Sequence, residues 1–258
     1  MTATLKAKND SMIARAIVVV EAAREQHLIV RIMGGCATLL RAPDLSDWLA
    51  SKGRRLGDVD FVCRRSDRLT LPELMGGLGY SEDARLNALH GRVRNVFFGA
   101  EGEERWEADI FFDQLPMCHV LDFEGRLELD SLTLSPVDLL MTKLQIIELN
   151  EKDGLDICCL LAAHPVSGSE EGAIDGARLV ELTSDDWGFF HTVELNLARV
   201  TSILSSSDFP APWREQASNG LSALSEGMNS AGKSLRWKIR SRLGEKMRWY
   251  NLVEDVRR

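Results

Sequence analysis

Asp58 and Asp60 stand two residues apart in Asp58-Val59-Asp60-Phe61-Val62-Cys63, a run that alternates acidic and apolar side chains at the period of a strand. In an extended chain such residues share one side, so both carboxylates face one way while Val59 and Phe61 face a core. Like charges held this close repel. The pair persists at neutral pH when a cation neutralises it; otherwise one carboxyl takes up a proton. Asp109, within Ala108-Asp109-Ile110, repeats the pattern on a strand able to lie beside the first. Three convergent carboxylates suit Mg²⁺, which prefers hard oxygen ligands and shares its remaining octahedral positions with water and substrate phosphate.

Gly34-Gly35 lies between a strand and a helix, where backbone N–H groups and the helix dipole favour an anion and glycine permits close approach. A triphosphate would suit that place, although the pair has neither the lysine of a P-loop nor the three glycines of a dinucleotide fingerprint.

The positioning elements follow from pattern. Asn9, Asp10 and Ser11 resemble a helix N-cap ahead of an Ala-rich helical period over 12–26, and the apolar run 28–33 reads as a buried strand that Gly34-Gly35 ends. A polar connection over 43–56 separates the first helical turns from the Asp58 strand. Residues 71–78 read as a short helix, 94–100 and 105–112 as a hairpin, and 119–134 as a second strand pair around Gly125. Ser135-Pro136 opens a helical region. The expected class is therefore α+β, a mixed sheet flanked by helices over 1–135 followed by a helical domain over 136–258. In the latter, 136–149 and 153–163 form a helix pair, 164–176 reads as a mobile loop, and Ser184 caps a later helix.

The net charge of −8 argues against indiscriminate nucleic-acid binding, but the charge is uneven. Residues 231–258 hold nine Lys or Arg against three acids, about +6, which leaves the remainder about −14. This tail, with Trp237 and Trp249 among its cations, either grips RNA or forms a helix with inward aromatics and solvated charges. The five cysteines show no CxxC spacing and read as reduced core residues, and the histidines form no pair at metal-ligand spacing. No apolar run is long enough to span a bilayer, and the N-terminal residues lack the apolar stretch of a secretory signal, so the expected compartment is the cytoplasm.

Ile32-Met33-Gly34-Gly35, Asp58-Val59-Asp60-Phe61 and Ala108-Asp109-Ile110, in that order, resemble the signature of the nucleotidyltransferase superfamily, with its DNA polymerase beta-like fold. Ser135-Pro136-Val137-Asp138-Leu139-Leu140-Met141-Thr142-Lys143-Leu144 and the following Lys152-Asp153-Gly154-Leu155-Asp156-Ile157 resemble the bacterial branch that contains AbiE-type toxin transferases. The likeness covers residues 28–163. It implies two Mg²⁺ ions, with Mn²⁺ an alternative, held by Asp58, Asp60 and Asp109, and an NTP whose triphosphate meets Gly34, Gly35 and Lys143. Asp109 would also accept the proton of the attacking hydroxyl, and Asp156, with Asp153, would orient Lys143 or bind nucleotide.

Two features depart from that pattern: the 22-residue connection between Gly35 and Asp58, longer than usual and ending in Arg54-Arg55, and Gly35 where many relatives have Ser. Arg54-Arg55 either reach substrate or are solvated. Taken alone, Lys143 reads as a surface residue of an amphipathic helix.

The implied activity is transfer of a nucleoside monophosphate from an NTP to a hydroxyl on RNA or tRNA, protein or a small molecule, toxin-like and with an antitoxin as a further partner. The alternatives are an aminoglycoside-type small-molecule transferase and a module of the same fold that binds nucleotide without turnover.

Overall fold

The computed structural model describes residues 2–168 and 172–253. The chain divides into two compact units: Met1–Leu115 with Asp122–Ser135, and Pro116–Leu121 with Pro136–Arg258. The chain thus leaves the first unit briefly at Pro116 before leaving it finally at Pro136. The class is α+β, with a mixed sheet among helices and a helical C-terminal region, as the sequence pattern predicts.

The first unit opens with α1 (Thr2–Glu25), whose Met12, Ala16, Val19, Val20 and Ala23 form a buried stripe at helical spacing. The predicted cap at Asn9 is a misreading, because α1 begins seven residues earlier. Asn9 lies buried inside it: its Nδ2 donates to Arg54 O at 2.8 Å, and its Oδ1 accepts from Leu56 N at 3.0 Å. A polar residue that resembles a local cap instead satisfies backbone groups 45 and 47 residues away.

The sheet comprises β1 (Val30–Met33), β2 (Asp58–Cys63), β3 (Ser81–Glu82), β4 (Arg94–Glu101) and β5 (Glu104–Phe112), in the order β1-β2-β5-β4-β3. Only β2 and β5 run parallel among neighbours; the other pairs are antiparallel. Val59, Phe61, Ala108 and Ile110 are fully buried, which anchors the register of the two acid-bearing strands. Further helices are α2 (Gly34–Arg41), α3 (Ser46–Ser51), α4 (Leu71–Gly77) and α5 (Ala84–His90).

Two expectations require correction here, and one helix was not foreseen. The connection 43–56 is not irregular: it holds a short 3₁₀ turn at Pro43–Leu45 and then α3, which bury Leu45 and Leu49. Asp83 caps the unexpected α5 by accepting from Leu86 N. The expected strand pair over 119–134 is reduced to Val120–Asp122; the rest is turns and the single bridge Ile32–Thr133, fixed where Asp130 accepts from Leu132 N and Thr133 N and pairs with Arg41.

The second unit contains α6 (Pro136–Leu144), α7 (Glu151–Ala163), α8 (Gly176–Asp185), α9 (Trp187–Ser206), α10 (Ala211–Ser230) and α11 (Leu235–Ser241). From Gly154 to Ala162, α7 is buried on every side, as a helix surrounded by others must be. Asn150 caps it, so α6 ends five residues before the predicted limit. Asp175 and Asp186 cap α8 and α9; Ser184 lies within α8 and caps nothing. Of the predicted loop 164–176, Val166–Ser167 pairs in parallel with Ile174–Asp175, while 169–171 lie outside the described residues, as do 254–258 of the basic tail. No described helix is long and apolar enough to cross a membrane.

Candidate active site

In the first unit the parallel register sets Asp60 directly beside Asp109 and Asp58 beside Glu107. Parallel partners share a face, and Asp58 shares the face of Asp60, so all three predicted carboxylates emerge on one side of the sheet, at the adjacent strands β2 and β5. Asp58 and Asp60 are half-buried, whereas Asp109 is only 4 % exposed. Arg94, on β4, lies with Nη1 3.3 Å from Asp109 Oδ1, a contact that sequence pattern did not reveal. Its signal existed only in the hairpin register, which sets Val96 opposite Asp109 and leaves Arg94 two residues along the same face.

The donors fit a hard divalent cation in type and in the face they share. Among the described residues, however, no three Asp, Glu, His or Cys side chains are already gathered as a metal-ligand group.

Gly34 and Gly35 open α2 next to these acids. Gly34 has φ +65°, and a Cβ there would lie 2.2 Å from Asp60 Oδ2; a Cβ on Gly35 would lie 2.4 Å from an Arg54 terminal nitrogen and 2.8 Å from Leu56 Cδ2. The glycine pair therefore admits a carboxylate on one residue and a guanidinium on the next, a steric requirement independent of any phosphate. Arg54 is only 7 % exposed, while Arg55 is exposed, so the two arginines left open by the sequence divide into one buried beside the acids and one solvated. Cys36, in the first turn of α2, feels the same charges: burial first, then Asp60 and Asp58, push its thiol far above the ordinary range against the opposing pull of Arg54. It is an inert core thiol.

Gly34→Ala is expected to lower stability by about 1–2 kcal/mol from the left-handed backbone alone, and further because Asp60 must move. Urea denaturation followed by circular dichroism measures this; an unchanged midpoint would show that the turn relaxes without loss.

In the second unit Lys143 is buried, contrary to its default reading as a surface residue. Its Nζ donates to Asp153 Oδ1 at 2.9 Å and lies 2.9 Å from Asp156 Oδ2. The two acids, three apart on α7, share one helix face. Asn150 fixes Asp153 twice, its Nδ2 donating to Oδ2 and its Oδ1 accepting from the backbone N–H. The structure thus brings together Lys143, Asp153 and Asp156, and separately Gly34, Gly35, Asp58, Asp60 and Asp109.

Also in the second unit, His119 is buried, with Nε2 2.8 Å from Thr192 Oγ1 and its backbone N–H donating to Gln145 Oε1. Burial lowers its pKa below the ordinary 6.5, with Asp186 opposing. Because the folded state then binds fewer protons than the unfolded state, His119 costs no stability above about pH 6.5, costs progressively more as the pH falls from there toward the lowered value, and levels off below it. Acidification to about pH 5 is expected to lower the urea midpoint, and His119→Gln to flatten that dependence. An unaltered slope in the variant would assign it to other groups.

The chain matches no protein-family model and no curated protein.

Proposed function

We propose that the protein is a Mg²⁺-dependent nucleotidyltransferase that moves a nucleoside monophosphate from an NTP to a hydroxyl acceptor. The observation that carries this reading is the parallel register of Asp60 and Asp109 with Gly34 closed against the Asp60 carboxylate. Asp58, Asp60 and Asp109 would hold the cation, or two of them, Mn²⁺ included. A bound divalent ion there polarises phosphate and lowers the pKa of the acceptor hydroxyl.

The chain's own groups supply the rest. Asp109 accepts the hydroxyl proton, and the first N–H groups of α2 with Arg54 favour the anionic phosphates. In the second unit, the buried contact of Lys143 with Asp156 supports the role of Asp156 as the residue that orients Lys143. The acceptor proposed is an RNA such as tRNA, in a toxin-like activity that a partner antitoxin would restrain. Arg94 against Asp109 favours a second reading, nucleotide binding without turnover, because the guanidinium already pairs with the carboxylate that would take the proton.

The deciding experiment supplies each of four α-labelled NTPs with Mg²⁺ and, as acceptors, total RNA, the protein itself and an aminoglycoside panel. Transfer to RNA is expected. Transfer only to the aminoglycosides would replace the acceptor class, and Mg²⁺-dependent binding with no transfer would establish the second reading.

A further inference from the structure

The second unit holds a cleft of about 830 Å³ that is lined by none of the residues proposed for nucleotidyl transfer. Its walls come from the end of α8, the start of α9, α11, residues 248–251 and Cys118–Leu121. Ile239 on α11 and Leu243 just beyond its end, 56 % and 44 % exposed, line the cleft, and Leu235 stands one turn before Ile239 on the same helix face. Of the fourteen exposed large apolar side chains among the described residues, six fall within 235–253. Such concentration marks a contact surface rather than chance exposure.

The surrounding charge is predominantly positive, although Asp185 and Asp186 also line the cleft. Between Arg236 and Arg248 stand six Lys or Arg and one acid, Glu245, whose carboxylate already meets His191 Nε2 at 2.8 Å. Asp186 in the cleft is occupied as the cap of α9, and Asp185 faces Arg236 at 3.7 Å. The aromatic rings are engaged too. Trp187 stacks on His191 with the Arg240 guanidinium 4.6 Å from its centroid, and Trp249 donates to Thr192 Oγ1. Rings so committed make poor stacking platforms for bases, and a concave site is poorly matched to a flat bilayer.

We infer that this cleft docks an acidic amphipathic helix of a partner protein, its apolar anchors seated against Ile239 and Leu243 and its carboxylates facing Arg236 and Arg248. This surface is independent of the nucleotidyltransferase reading.

The test titrates the full chain, by fluorescence anisotropy, with a labelled leucine–glutamate amphipathic peptide of about 18 residues, five helical turns. A leucine–lysine counterpart of the same pattern, poly(U) RNA and phosphatidylcholine–phosphatidylglycerol vesicles are titrated in parallel. The acidic peptide is expected to bind at least tenfold more tightly than the basic one, and Ile239→Asp and Arg248→Glu each to weaken it at least tenfold with an unchanged melting temperature. Should Ile239→Asp impair folding, the exposed Arg248→Glu decides alone. Equal or absent binding of the two peptides overturns the proposal, as does insensitivity to Arg248→Glu, or variant-sensitive binding confined to RNA or vesicles.

Discussion

Asp60→Asn is expected to reduce nucleotidyl transfer by roughly 10³-fold, the scale on which removing one preorganised electrostatic group from a reacting centre is felt. The substitution keeps the shape of the side chain beside Gly34 and removes only its charge, so steric disturbance is small. Stability should change little, because the repulsion from Asp58 and Asp109 that the substitution relieves is offset by the loss of a negative charge near Arg54, buried beside these acids. Initial rates with saturating NTP and acceptor, together with thermal melts, measure both quantities. Retained activity would remove Asp60 from the reacting centre, and a large fall in melting temperature would recast it as a structural residue.

Asp156→Ala should destabilise the second unit by about 3–5 kcal/mol, the cost of breaking a buried ion pair by removing one partner. The Asp156 side chain is completely buried and that of Lys143 only 8 % exposed, so water cannot replace the lost carboxylate. Asp153 remains at 2.9 Å and retains part of the compensation, which places the effect toward the lower end of that range. Asp156→Ala combined with Lys143→Met should recover much of the loss, since removing both charges leaves neither stranded. Urea denaturation of the single and double variants measures the coupling; additive losses would show that Lys143 and Asp156 act independently. Activity measured on the folded fraction separates this structural role from the orientation of Lys143.

Much of the first unit was legible because its signals are local. The alternation in Asp58–Phe61 matches the observed strand, since Val59 and Phe61 are buried between half-buried acids at the period of the pleat, whereas Val62, on the face of the acids, is buried as well. The hairpin of β4 and β5 was visible for the same reason. Asn9 was misread because its type suits a cap, and only the approach of Arg54 and Leu56 shows what its amide satisfies. Ser184 failed similarly: Asp175 and Asp186, on either side, have the caps. The 119–134 stretch was overread because beyond Val120–Asp122 its backbone is largely satisfied locally in turns, as where Asp130 accepts from Leu132 N and Thr133 N.

The sequence by itself determined the α+β class, the strand bearing Asp58 and Asp60, and the place of Gly34-Gly35 ahead of a helix. These depend on side-chain period and backbone freedom, which act over a few residues. Tertiary structure alone decided that Asp109 lies level with Asp60, that Arg94 reaches Asp109, that Arg54 is buried against Gly35, and that Lys143 is enclosed by Asp153 and Asp156. Each of these depends on strand register or helix packing between segments distant in the chain, and the free energy that fixes them comes from burial of the intervening apolar residues.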